Sequence, residues 1–230
     1  MTATPRTATP GNATPRTATP GTATPTTATP TTATSGTATT KRVRLSPDAR
    51  REQLLDLGVR MLATRTLEDL SVDALAEQAG ISRGLLFHYF KNKQDFHQAV
   101  VQRAADDLLA RTRPDKSRAP AARLALSLEH YVDYVLANRQ SYISLVRGAA
   151  GCDAVLLEIF ERTRAVMTSR VTDDLEVFGV ADTPTVRLLA RGWTALVEES
   201  VLSWVADPQL PKQELLRVLT ASLPALLATD

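Results

Sequence analysis

Residues 71–93 read SVDALAEQAGISRGLLFHYFKNK, and this stretch decides the fold. Ser71, Ser82 and Asn92 each stand where a helix N-cap belongs, so three helix starts fall within 23 residues. In the first, Val72, Leu75, Ala76 and Ala79 follow the i, i+3, i+4, i+7 pattern of one apolar face. Gly80 then ends the helix, because a tight turn needs a residue at ease with positive φ. Two short helices brace each other only if a small residue sits at their crossing and apolar groups face inward from both arms. Ala76 supplies the first; Leu75, Ala79, Ile81, Leu86 and Phe90 supply the second. That is a helix-turn-helix arrangement, with the second helix placed to enter a major groove.

The outward face of that helix carries the candidate base contacts Arg83, Gly84 and His88. Arg83 offers a guanidinium fork for guanine O6 and N7, Gly84 permits close backbone approach, and His88 offers a hydrogen bond to a base edge. Leu85 or Phe87 would pack on a thymine methyl. Tyr89 and Lys93 flank this face and suit phosphates, Tyr89 by a neutral hydrogen bond and Lys93 by a salt-sensitive charge contact. The helix start at Asn92 adds its dipole. Upstream, Lys41, Arg42 and Arg44 form a basic arm suited to non-specific attraction and an adjacent minor groove.

Outward from this core the punctuation is helical to the end of the chain. Ser46-Pro47 opens a helix expected to reach about Thr64. Asn92 opens one running to about Thr112, and Arg113–Pro120, with Pro114 and Pro120, reads as a hinge between domains. Five further segments follow, near 121–137, 139–148, 153–178, 184–206 and 211–228. The expectation is all-α: about nine helices, a helix-turn-helix domain over 45–112 and a second helical domain over 113–230. With 43% hydrophobic residues but only 5% aromatic, a Leu/Ala/Val helical core suits the composition better than a sandwich or barrel.

Residues 1–40 repeat with a period of five, as TATPR, TATPG, NATPR and so on. They hold no Leu, Ile, Val or aromatic residue and carry proline at every fifth position up to Pro30, so residues 1–44 are read as a disordered tail ending in the basic arm. Arg6 and Arg16 suit DNA scanning, but the composition favours an expanded repeat, or a translation start placed too far upstream. It lacks the amphipathic helix of a transit peptide and the apolar stretch of a secretory signal.

Charge separates along the remainder. Lys41–Arg118 holds 15 basic and 11 acidic residues, whereas Ala119–Asp230 holds 10 basic and 14 acidic. A basic first domain beside an acidic second one points to an anionic partner for the first. No apolar run nears the roughly 18 residues of a membrane span. The single Cys152 excludes an internal disulfide and a multi-thiolate zinc site, and fits a reducing, cytoplasmic setting. No cofactor or metal is expected.

The run Ile81–Lys93, ISRGLLFHYFKNK, resembles the signature of the tetracycline-repressor (TetR) family, and the similarity extends over about Arg50–Phe96. The resemblance implies base-facing roles for Arg83, Gly84 and His88 and phosphate-facing roles for Tyr89 and Lys93. The family often has Thr where this chain has Leu85, and Tyr where it has Phe87; both departures remove a hydroxyl that would reach phosphate. It further implies a C-terminal ligand-binding domain, a homodimer through the last two helices, and a repressor released from a palindromic operator. The apolar richness of 184–206 and 211–228 is compatible with such a seam.

Under that implication a pocket lies among segments 121–178 facing 184–206. Its candidate liners are Tyr131, Tyr134, Tyr142, Phe160, Met167 and Trp193, with Arg164 or Glu198 as polar anchor, and their character suits a small, mostly apolar effector. The competing functions are a helical interaction module without DNA binding and a small all-α enzyme. For the enzyme only Cys152, with His130 as a distant base, offers any chemistry, since no phosphate loop, HExxH or G-x-S-x-G motif is present.

Overall fold

Six of the nine helices described in the computed structural model begin at a residue whose side chain caps the first turn. The structure describes residues 45–148, 153–173, 175 and 179–228. The tail, the arm residues Lys41, Arg42 and Arg44, and Cys152 lie outside the described residues. Among the described residues there are nine α-helices and no strand.

The first four are α1 (Pro47–Leu62), α2 (Val72–Ala79), α3 (Arg83–Tyr89) and α4 (Lys93–Arg111). Ser46 Oγ accepts the Ala49 N–H at 3.2 Å, Ser71 Oγ that of Ala74 at 3.0 Å, Ser82 Oγ that of Leu85 at 3.2 Å, and Asn92 Oδ1 that of Asp95 at 2.8 Å. Each satisfies a backbone donor that the helix leaves orphaned. Leu54, Leu55, Met61, Leu70, Leu75, Leu86, Phe90, Phe96 and Val100 form the shared core of these four helices. Phe90 and Phe96 meet edge to face at 5.1 Å, a pairing worth roughly 0.5–1.5 kcal/mol beyond area burial.

The remaining five are α5 (Pro120–Ala137), α6 (Arg139–Gly148), α7 (Ala154–Thr172), α8 (Pro184–Ala206) and α9 (Lys212–Leu227). Their core gathers Leu128, Tyr131, Val132, Val135, Trp193, Val197, Val201, Leu202, Leu215, Leu219 and Leu223. A small third cluster of Val101, Ala105 and Ile159 joins α4 to α7.

The expected hinge, Arg113–Pro120, is closed by its own hydrogen bonds. Asp115 accepts from the Ser117 N–H and hydroxyl at 3.0 and 2.6 Å and from Arg118 Nε at 3.0 Å. One expectation needs correcting. The segment read as reaching residue 178 stops at Thr172, where β-branched Val171 and Thr172 precede Asp173 and Asp174. Acidic groups oppose the negative end of a helix, and β-branching weakens its last turn. Gly179 at φ 72° then turns the chain, and the Val180 N–H reaches the Leu175 carbonyl at 3.0 Å.

Candidate DNA-binding surface and interior cavity

The turn between α2 and α3 is fixed by Gly80, at φ 63° and ψ 38°, with the Ile81 N–H returning to the Ala76 carbonyl at 3.0 Å. This left-handed residue lets α3 start at once, and its side chains divide sharply. Leu86 and Phe90 are each 1% exposed, whereas Leu85 and Phe87 are 41% and 39% exposed. Arg83, Gly84 and His88 lie on the same exposed side. The helix therefore offers a face of one cation, one glycine, one imidazole and two apolar groups, held from behind by two core anchors.

Arg83 is oriented by two neighbours. Its guanidinium pairs with Asp73 of α2 at 3.2 Å and stands over the Phe87 ring at 5.7 Å. Both charged partners are well exposed, so the pair is worth little as stability; its consequence is direction, holding the fork along the outward face. Sequence reading missed Asp73, ten residues away across the turn. Tyr89 is half-buried against the core and edge-on to His88 at 5.5 Å. Lys93 is exposed, and its Nζ donates to the Glu68 carbonyl at 3.3 Å, which leaves donors free. His97, one turn into α4, fastens to the Leu70 carbonyl through Nε2 at 2.8 Å.

The second feature is a cavity of about 130 Å³ lined chiefly by α4, α5, α7 and α8, with Tyr142 of α6. All eight expected liners meet there: Tyr131, Tyr134, Tyr142, Phe160, Arg164, Met167, Trp193 and Glu198. Leu62 and Leu67 close one end, and Pro114, Pro120, Arg123 and Arg170 line the other; none of these six was anticipated. The Tyr131 and Tyr142 hydroxyls share one hydrogen bond at 2.9 Å, and burial pushes both phenols well above their ordinary pKa. Tyr134 donates to the Ala104 carbonyl of α4 at 2.8 Å.

Arg164 pairs with Glu198 at 2.5 Å and rests on the Phe160 ring at 4.6 Å. Burial lifts the Glu198 pKa while Arg164 pulls it back, so the pair's charges balance each other inside the protein. The Arg164 Nε is buried and has no hydrogen-bond partner. Trp193 donates to Ser222 Oγ at 2.9 Å, which fixes its ring between α8 and α9. His130 is exposed. Among the described residues no group of three His, Cys, Asp or Glu is placed to hold a metal ion. No helix among them is long and apolar enough to cross a membrane.

Comparison with known proteins identifies both halves. Residues 54–100 match the family model of bacterial regulatory proteins, tetR family, and residues 120–226 match that of the tetracyclin repressor-like C-terminal domain. A tetR-family transcriptional regulator from Streptomyces coelicolor aligns with a TM-score of 0.71 and 29% identity, over 79% of this chain and 82% of its own. The HTH-type transcriptional activator FasR of Mycolicibacterium smegmatis is 24% identical over 168 residues, 70% of this chain and 75% of FasR. The transcriptional regulator FadR of Bacillus subtilis, solved in complex with stearoyl-CoA, shares the fold at a TM-score of 0.59 and 22% identity, over 77% of this chain and 95% of its own. These relatives are regulators, not enzymes. With the outward face of α3 and with both family models matched in order along the sequence, the chain belongs to the TetR family of DNA-binding transcriptional regulators.

Proposed function

We propose that the protein is a homodimeric repressor that holds a palindromic operator and is released by a small, mostly apolar effector, acting in the cytoplasm. The observation that carries the DNA half is the exposed face of α3, where Arg83, Gly84 and His88 read base edges and Leu85 and Phe87 contact thymine methyls or the groove flank. Tyr89 and Lys93 hold phosphates, joined by Lys41, Arg42 and Arg44 from the arm. In this reading the DNA-binding domain spans 45–112 and the effector and dimerisation domain spans 113–230.

Support for the dimer comes from α8 and α9. Leu188 is 69% exposed, Leu196 46% and Val218 47%, more apolar surface than a solvated helix pair needs. A second copy packing on this face would make a four-helix seam. Recognition helices then sit about 34–36 Å apart, or a multiple of it, to meet successive half-sites.

Support for effector control comes from the cavity, which touches the C-terminal half of α4 through Val101, Ala104, Ala105 and Leu108, and its C-cap Thr112. Filling it favours one position of α4, and α4 carries α3. Moving such an equilibrium from 1:99 to 99:1 requires about 5.5 kcal/mol of differential affinity, within reach of a buried small molecule. The named relatives FasR and FadR include an activator and a ligand-bound regulator. The sign of regulation here follows from where the operator lies relative to the promoter.

Selection of the full chain against a randomised duplex pool tests this reading. The expected product is an inverted repeat, with binding abolished in Arg83→Ala/Lys93→Ala and weakened by salt in proportion to the phosphates engaged. Enrichment of asymmetric sites alone would remove the symmetric dimer; no enrichment at low salt would remove the operator reading.

A further inference from the structure

The cavity's lining is extended along two helices. It follows α4 from Val101 to Thr112 and α7 from Ile159 to Val171, which the helical rise of about 1.5 Å per residue converts to roughly 16–18 Å. A cavity of about 130 Å³ whose lining extends over that length accommodates one narrow, flexible chain. Most of its lining is apolar, aliphatic side chains joined by Tyr131, Tyr134, Tyr142, Phe160 and Trp193, and its central cation, Arg164, is already matched by Glu198. The interior therefore asks for hydrocarbon and not for a further charge.

The end at the α4–α5 connection differs. There the cavity adjoins an open groove of about 630 Å³ that shares Pro114 and Arg170 with it and adds Arg113 and Lys116. Arg170 is set rigidly: it donates to Thr112 Oγ1 at 3.0 Å and to the Leu109 carbonyl at 2.7 Å, both neutral acceptors. Among the described residues no carboxylate lies within ion-pair distance of Arg113, Lys116 or Arg170. Two acids share the groove, but Asp115 is engaged by Ser117 and Arg118, and Asp173 is exposed at the end of α7. Burial, and then the neighbouring charge of Arg113, hold the Arg170 pKa below its ordinary value, as expected of cations gathered without a counter-ion.

We propose that the effector is a single-chain amphiphile with an anionic head, its chain lying in the cavity along α4 and α7 and its carboxylate or phosphate held at the mouth by Arg113, Lys116 and Arg170. This deepens the reading of the cavity as the effector site and rests on it. The head neutralises the gathered cations while the chain replaces empty space against α4, so both parts favour the same filled state.

The test is calorimetric titration of the full chain with palmitoyl-CoA, palmitate, hexadecanol and coenzyme A alone, each below its aggregation threshold, with Trp193 fluorescence as a second readout. One anionic probe should bind about tenfold or more tightly than hexadecanol, an advantage that shrinks as salt rises. Preference for palmitate assigns the head as a carboxylate, and preference for palmitoyl-CoA assigns it as a phosphate-bearing group; coenzyme A alone should bind weakly. Arg113→Gln/Lys116→Gln, both exposed and outside the helix core, should remove most of the advantage while leaving the melting temperature and hexadecanol binding unchanged. Hexadecanol binding as tightly as both anions, an unaltered double variant, or no binding by any probe would each overturn the assignment. Duplex binding by the same unliganded preparation is scored separately: its loss with lipid binding intact would sink the operator reading and leave this site standing.

Discussion

Asp153 and Gln98 join α7 to α4, the Gln98 amide donating to both carboxylate oxygens at 3.2 and 3.1 Å. Gln94, one turn earlier, adds a third donor at 3.1 Å. The same carboxylate caps α7 through the N–H groups of Val155 and Leu156 at 2.9 and 3.3 Å. Partial burial raises its pKa, but the amide and backbone donors outweigh this and hold the carboxyl below its usual range. A helix that lines the cavity is thus tied, at its N-cap, to the helix that follows α3. Asp153→Ala should cost about 1–2 kcal/mol, the upper part of the range for a lost N-cap, because the two glutamines lose their acceptor as well. Asp153→Asn should lose less than half of that. Urea unfolding curves at neutral pH measure both, and a cost under 0.5 kcal/mol for the alanine variant, roughly the smallest cap effect, would show that the junction does not depend on this group.

His97 gives the pH dependence of a second contact of α4, the one with the Leu70 carbonyl ahead of α2. Its Nε2 faces a carbonyl and therefore carries the proton of a neutral ring. Burial lowers its pKa, the Leu70 carbonyl partly restores it, and Lys93 lowers it again. In the unfolded chain the ring protonates near pH 6.5, while the folded ring resists. The stability it confers is therefore intact above about pH 6.5 and declines as pH falls. Glu198, lifted by burial, acts in the opposite direction, so the informative quantity is a difference between variants. His97→Gln keeps a donor and should flatten the decline between about pH 6.5 and 5 in thermal melts. Equal slopes in the two proteins would remove His97 from the account.

Gly58 lies on α1 against α4, where helix propensity and packing oppose each other. Alanine in a helix interior is favoured over glycine by about 1 kcal/mol. A Cβ at Gly58, however, would stand 2.6 Å from Val100 Cγ2 and 3.3 Å from Phe96 Cζ. Val100 is fully buried and β-branched, so it has no free rotamer into which to withdraw. Overpacking costs roughly 1–3 kcal/mol, and packing wins. Gly58→Ala should be destabilised by up to about 2 kcal/mol net, read as a lower urea midpoint with an unchanged slope. A stabilised variant would mean that α1 and α4 separate freely.

Helix starts were legible because caps are local: Ser46, Ser71, Ser82, Asn92 and Thr183 each serve a donor three residues on. The end of α7 was not, because no glycine or proline marks it before Gly179 and the acids after Thr172 act only through the helix dipole. The pocket expected around Tyr131, Phe160, Met167 and Trp193 came from the family resemblance, and the structure brings these four to one interior because inner stripes must face each other. Arg170 escaped notice because arginine reads as surface charge, although it continues the inward row of Thr163 and Met167. The Asp73–Arg83 pair needed the crossing of α2 over α3, which no linear spacing reveals.

The dimer seam offers a test in which the same substitution has opposite signs in two settings. Leu188, Gly192 and Leu196 follow one another at i, i+4, i+8 on the exposed side of α8. Nothing lies within 4 Å of a Cβ built at Gly192 in the single chain. Alone, Gly192→Ala should therefore gain about 1 kcal/mol from propensity. Across a two-fold seam a glycine between leucines lets the helices approach closely, and the added methyl should weaken association. The predicted pattern is a higher melting temperature when dilute, together with a raised dimer dissociation constant in sedimentation velocity. Leu188→Glu/Leu196→Glu should be a folded monomer at micromolar concentration, with operator affinity lost because two half-sites can no longer be held at once. A double glutamate variant that sediments as the wild type does would place the seam elsewhere.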